Sequence, residues 1–273
     1  MIIKNIALAG HAGTGKTTLL EALLYQGGCV ERMGSVAAGT TVSDAAPEEI
    51  KRHSSVYTAT GSIMLDGQKI NLLDTPGMFD FAGGMVQGIS AADCVMITVS
   101  GKSGVRVGTK KAYRAAEGKP RMFVVTKLDD ENANFYNVLT ELKSAFGPSV
   151  CPVVVPVIAD RKVDSYINLI EMKAYRYDED GKAQEIPMPT SEVSEKLSYR
   201  VDGLIQAFSE AIAETDEELF EKFFSGEEFT QKERVDGIHK GMRDGTITPV
   251  ACVSAQMLEG VDLLCKEMEL LVP

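Results

Sequence analysis

A chain of 273 residues, 44% hydrophobic and 25% charged, has room for one large domain or one domain carrying an insertion. No apolar run reaches membrane-spanning length and the first residues lack a signal peptide's basic region and cleavage site, so a cytoplasmic protein with no membrane partner is expected. A net charge of −11 argues against this segment being the main grip on nucleic acid, and five scattered cysteines without a C-x-x-C pair offer neither a disulfide framework nor a zinc site.

Residues 2–9 are apolar and β-branched and predict a buried strand; residues 18–25 have helical spacing that stops at Gly27-Gly28. Between them, Gly10-His11-Ala12-Gly13-Thr14-Gly15-Lys16-Thr17-Thr18 fits G-x-x-x-x-G-K-[ST] in the strand–loop–helix setting that a phosphate-binding loop requires. Its glycines let successive N–H groups point inward at the positive end of a helix dipole. Lys16 is placed to reach the β- and γ-phosphates and the Thr17 hydroxyl to ligate Mg²⁺. Residues 29–55 have little periodicity and are the natural candidate for a switch that orders around γ-phosphate and Mg²⁺, the alternative being a surface loop with a short helix.

Residues 56–65 and 69–73 read as strands joined through Asp66-Gly67, and the second delivers Asp74-Thr75-Pro76-Gly77. An Asp at the end of an apolar strand suits a metal-organising carboxylate, and the Gly77 N–H a contact to the γ-phosphate. A helix at 81–92, a strand at 94–99, a helix at 105–117 and a strand at 121–125 follow, ending in Thr126-Lys127-Leu128-Asp129; a helix at 134–146 and a strand at 150–157 come next. This alternation predicts an α/β fold with a mostly parallel sheet, helices on both faces, and ligand loops at the carboxyl ends of the strands. Residues 159–245 read as an inserted α+β subdomain, with a hairpin around Asp180-Gly181 and glutamate-rich helices, dividing the nucleotide domain into 1–158 and 246–273. A strand at 249–253, the run Ser254-Ala255-Gln256 and a helix at 260–271 complete the chain.

The glycine loop alone leaves ATP and GTP, and transferase and hydrolase, open. Asp129 narrows the choice, because one carboxylate accepts from both N1–H and the N2 amine of guanine, a donor pair that adenine lacks. Lys127 is expected to lay its stem along the base, and the 254–256 segment to offer an N–H to guanine O6.

With these motifs in this order, the chain resembles the G domain of the translational GTPases, within them the elongation factor G family, over nearly its whole length. The resemblance rests on residues 10–18, on Asp74-Thr75-Pro76-Gly77 with Asp80-Phe81, on Lys127 with Asp129, and on Ser254-Ala255. It implies a P-loop G domain that binds GTP and GDP with Mg²⁺, hydrolyses GTP and works on the ribosome as a monomer. It also implies that residues 159–245 could meet ribosomal stalk proteins, and that a longer protein continues beyond Pro273.

Four positions depart from the family pattern. Thr126 stands where Asn is usual, and Ser55 aligns with the Mg²⁺-ligating Thr of the switch, supplying the same oxygen. Met78 replaces the His that positions the attacking water, and Gly13 replaces an Asp associated with a monovalent cation. Loss of an orienting group commonly costs about 10²–10⁴ in rate, so slow hydrolysis is expected, with Lys16, Gly77 and position 78 as the catalytic set. His11 is expected to support the loop, His53 to be a solvated loop residue and His239 to lie on the surface.

Overall fold

In the computed structural model, which describes residues 1–189, 192–194 and 199–272, the first half of the chain alternates strand and helix. The order is β1 (Ile3–Gly10), α1 (Lys16–Gln26), α2 (Pro47–Arg52), β2 (Ala59–Leu65), β3 (Gln68–Asp74), a 3₁₀ turn (Phe79–Phe81), α3 (Ala82–Ala91), β4 (Cys94–Ser100), α4 (Val107–Ala115), β5 (Arg121–Thr126), α5 (Phe135–Phe146) and β6 (Val150–Pro152). The second half runs through β7 (Val154–Ala159), β8 (Lys162–Asn168), β9 (Lys173–Tyr177), β10 (Ala183–Ile186), β11 (Glu192–Ser194), β12 (Tyr199–Arg200), α6 (Val201–Ala213), α7 (Glu217–Phe224), α8 (Gln231–Asp244), β13 (Thr248–Cys252) and α9 (Val261–Leu271).

Seven strands form the main sheet in the order β2-β3-β1-β4-β5-β13-β6, and only β2 is antiparallel to its neighbour. β4 and β13 are buried along their whole length, which explains their largely apolar sequence: both faces are covered. A second, antiparallel sheet runs β10-β9-β8-β7, and its buried residues join the same apolar core as those of the main sheet. The expected α/β architecture and the hairpin at Asp180-Gly181, between β9 and β10, are both present.

The strand expected over residues 150–157 is two strands in two sheets. β6 closes the main sheet at its edge, and after Val153 the chain enters the second sheet as β7. Nothing polar marks the break, because Val150 to Val157 stay buried in both settings. His239, expected on the surface, is half-buried, and its Nε2 pairs with the Leu270 carbonyl of α9. Pro273, where the expected nucleotide domain ends, lies outside the described residues. Among the described residues no helix is long and apolar enough to cross a membrane.

Candidate functional site

Parallel register brings the predicted motifs to one edge of the sheet. Leu8 lies beside Asp74, Gly10 beside Thr98, Ser100 beside Thr126 and Cys252 beside Val125, so the loops after β1, β3, β5 and β13 open on the same side. A cleft of about 670 Å³ opens there. Of the predicted nucleotide residues, Ala12, Gly13, Gly15, Lys16, Thr17 and Thr18 line it, and so do Lys127 and Gln256. Ser55 and Gly77 complete the predicted part of the wall.

The phosphate end is organised by buried polar groups. The Thr17 hydroxyl donates to Asp74 Oδ2 at 2.6 Å and lies 3.1 Å from the Ser55 hydroxyl, so the three predicted metal residues meet at one point. Burial pushes the Asp74 carboxyl up to about 6, against the opposing pull of Thr17 and Lys16, and its Oδ1 has no partner. Lys16 donates to the His11 carbonyl at 3.1 Å, and burial holds its pKa below the ordinary value. Gly77 faces this lysine so closely that a Cβ there would collide with Lys16 Nζ and lie 2.8 Å from the Ala12 nitrogen.

Two predicted residues shape the loop without lining the cleft. The Thr126 hydroxyl donates to the Thr14 carbonyl at 2.6 Å, and the Thr14 hydroxyl pairs with Thr98 at 2.7 Å. Thr126 thus ties the end of β5 to the phosphate loop. At the base end the Ser254 hydroxyl donates to Asp129 Oδ1 at 2.8 Å, fixing the carboxylate between the loops after β5 and β13. Lys127 turns the chain with a left-handed φ of 60°, and its stem passes beside Gly15. Leu128 and Ala255 are buried and anchor these loops to the core.

The positions expected to act in hydrolysis are less complete. Met78 is half-buried at the start of the 3₁₀ turn and, among the described residues, is not part of the cleft wall. The His11 ring is turned away from the cleft, packed against Gly108 and 5.7 Å from the Phe79 ring, with Nδ1 buried and unpartnered. This supports the structural part expected of it. Gly13 has φ 76° and open space where a side chain would be. His53 is exposed, as expected, but it does line the cleft, with Nδ1 3.0 Å from the Val36 carbonyl.

Three acidic residues were not singled out from sequence. Asp44 lines the cleft, is 4% exposed, touches the Ser55 hydroxyl and has an unpartnered Oδ2; burial raises its pKa. Glu21 accepts from the Gly34 and Val42 nitrogens at 2.8 and 2.7 Å, and Glu49 accepts from Val56 and Tyr57 at 2.9 and 3.0 Å. Glu21 pins segment 29–55 to α1, and Glu49 ties α2, which lies within that segment, to the residues that follow it. The signal for Glu21 was present, a lone acid among the leucines of α1; nothing comparable marked Asp44 in its polar surroundings.

The family described as "Elongation factor Tu GTP binding domain" matches residues 1–273. An "Elongation factor G-like protein" of Mycobacterium tuberculosis H37Rv is 34% identical over 252 residues, covering 91% of this chain and 34% of that protein. One of the same description from Thermotoga maritima is 34% identical over 264 residues, covering 96% and 36%. A crystal structure of a protein from Thermus thermophilus superposes with a TM-score of 0.90 at 39% identity, over 100% of this chain and 40% of that one. The chain therefore spans about a third of the length of these curated relatives. A phosphate loop, a carboxylate-backed hydroxyl pair and a serine-fixed aspartate on one sheet edge agree with that match, and the chain belongs to the elongation factor Tu GTP-binding domain family, the GTP-binding domain of translational GTPases.

Proposed function

We propose that the chain binds GTP and GDP with Mg²⁺ as the G domain of an elongation factor G-like protein, and hydrolyses GTP to drive ribosome translocation or a related ribosomal step. The observation that carries this reading is a single cleft with Lys16, Thr17 and Ser55 at one end, Lys127 and Gln256 at the other, and Asp129 held by Ser254 beside it. Thr17, Ser55 and Asp74 form a hard-oxygen set, and the unpartnered Asp74 Oδ1 and Asp44 Oδ2 leave carboxylate capacity that suits Mg²⁺. When bound with GTP, that ion neutralises charge on the phosphate oxygens. Lys16 and the loop N–H groups hold the β- and γ-phosphates, and Gly77, whose backbone lies against Lys16, offers an N–H to the γ-phosphate.

The division into residues 1–158 with 246–273 and an insertion at 159–245 belongs to the same reading, with β7 supporting a start a few residues earlier. So do a cytoplasmic monomer and a stalk-protein contact on the acidic insertion. Hydrolysis is read as slow, because Met78 has almost no hydrogen-bonding capacity and Gly13 none in its side chain. A GTP/GDP-sensing switch with negligible turnover is the second reading, favoured by the anchoring of segment 29–55 to α1 through Glu21.

Nucleotide titration tests the base assignment. The chain is expected to bind GDP far more tightly than ADP, and Asp129→Asn to shift preference toward xanthosine diphosphate. Equal affinity for GDP and ADP, or unchanged preference in Asp129→Asn, would overturn the reading.

A further inference from the structure

The turn after β13 is held from outside the main sheet. Residues 254–259 close on themselves: the Ser254 nitrogen donates to the Glu259 carbonyl at 3.0 Å, and the Glu259 nitrogen returns to the Ser254 carbonyl at 3.1 Å. Within the turn Leu258 has a left-handed φ of 60°, a conformation that leucine keeps only where its surroundings enforce it. Ser254 in turn fixes Asp129, so a shift of this turn moves the carboxylate and the 254–256 backbone together.

Two parts of the second sheet press on this turn. In β8, Tyr166 is buried and its hydroxyl donates to Glu259 Oε2 at 3.0 Å. Its ring meets Tyr177 of β9 edge-on at 5.4 Å, and the Tyr177 hydroxyl donates to Asp262 in the first turn of α9. At the β9–β10 hairpin, Gly181 lies so close that an added Cβ would sit 2.7 Å from Leu258 Cβ and 2.9 Å from the Met257 carbonyl oxygen. The local charges show why one hydroxyl matters. Burial raises the Glu259 carboxyl above its ordinary value, the Tyr166 hydroxyl opposes this, and Asp129 adds to the rise by repulsion. Two carboxylates thus lie within reach of each other's charge at the base end, and Tyr166 supplies the donor that holds one of them toward β8.

We propose that the second sheet positions the guanine-reading loop, with Tyr166 and Gly181 as positioning residues that set base specificity without touching the nucleotide. The role in specificity rests on the guanine reading of Asp129; the bracing of the turn stands on the contacts alone. Both residues belong to the inserted segment, so whatever displaces β8 or the β9–β10 hairpin changes guanine affinity, and the coupling runs equally in the other direction.

The test compares affinities of the whole chain for GDP, inosine diphosphate and ADP, with backbone amide exchange followed on the same samples. Inosine lacks the N2 amine, so the ratio of GDP to inosine diphosphate affinity reports how well Asp129 is placed, and a loss of folded protein leaves it unchanged. Tyr166→Phe removes only the hydroxyl and is expected to weaken GDP about fivefold and narrow that ratio. Exchange is expected to quicken over 254–260 and to stay the same over 10–18. In a Glu259→Ala background Tyr166→Phe is expected to add nothing, because the two residues act through one bond. Gly181→Ala is expected to narrow the ratio too. Gly118→Ala, with a φ of 76° against 74° and open space around it, carries the same backbone strain and is expected to keep the parent's ratio. The proposal is overturned if Tyr166→Phe keeps the parent's ratio or its exchange over 254–260. It is also overturned if the Tyr166 and Glu259 effects add, or if Gly181→Ala behaves like Gly118→Ala. A parent chain that binds GDP and ADP alike would instead sink the guanine reading, and faster exchange over 254–260 in Tyr166→Phe would still uphold the brace.

Discussion

Replacing Thr126 by valine removes one hydroxyl from a buried site and leaves the side-chain shape nearly intact. That hydroxyl has a single proton, and the 2.6 Å contact to the Thr14 carbonyl is its shorter bond; the Val99 carbonyl lies at 3.3 Å. Leaving a buried carbonyl unpaired costs about 1–3 kcal/mol. If the cost falls on the loop in its binding geometry, the Kd for GDP rises about 5–150-fold. If it falls on the whole fold, the melting temperature drops by roughly 2–4 °C per kcal/mol for a chain of this size. Displacement of a fluorescent GDP analogue and thermal melts of the same samples separate the two. Thr126→Ser keeps the donor and is expected to restore most of the loss, and Thr126→Asn to bind at least as well as the parent. GDP affinity and melting temperature in Thr126→Val that match the parent would refute the tether.

Met78→His with Gly13→Asp is expected to raise single-turnover GTP hydrolysis by about tenfold or more, since each residue restores an orienting group; the open space at Gly13 admits the new side chain, and Asp tolerates its φ of 76° better than most residues. An unchanged rate would show that position 78 is no handicap. Gly77→Ala forces Lys16 to move and is expected to weaken GTP by about tenfold while affecting GDP less, measured by parallel titrations. Glu267, buried in α9, has a carboxyl pushed up to about 8 by burial, against the Asn168 amide that donates to it at 3.0 Å, with Glu171 adding to the rise and Lys266 opposing it. The folded chain keeps this proton up to about pH 8, whereas the unfolded chain releases it near 4.5, so stability declines as pH rises through that window and levels off above it. Glu267→Gln is expected to flatten the decline and to melt higher than the parent above pH 8; parallel melting profiles would refute the assignment.

The nucleotide site was legible where one residue type is tied to one task. The glycine loop, Asp74 at the end of β3, and Asp129 with Ser254 could each be placed because spacing and strand ends locate them before any contact is known. Asp44 could not, because its importance comes from burial against Ser55, which the polar run around it conceals. The boundary between β6 and β7 stayed hidden for a related reason: apolar residues look alike whichever sheet they enter. His239 was misjudged because its partner is a main-chain carbonyl in a helix that sequence spacing does not bring near it.

The position of β13 has a consequence for biogenesis. It pairs with β5 on one side and β6 on the other, although β6 ends at Pro152 and β13 begins at Thr248. During synthesis the nascent chain therefore holds a slot open in the middle of its sheet, with two raw strand borders, until Thr248–Cys252 emerge. Such borders are templates for mispairing, and contacts spanning 125 positions, like Ser254 with Asp129, form slowly. A ribosome that stalls before β13 leaves a product able to aggregate but not to select its purine, which makes this strand the point at which quality-control chaperones have most to gain by waiting.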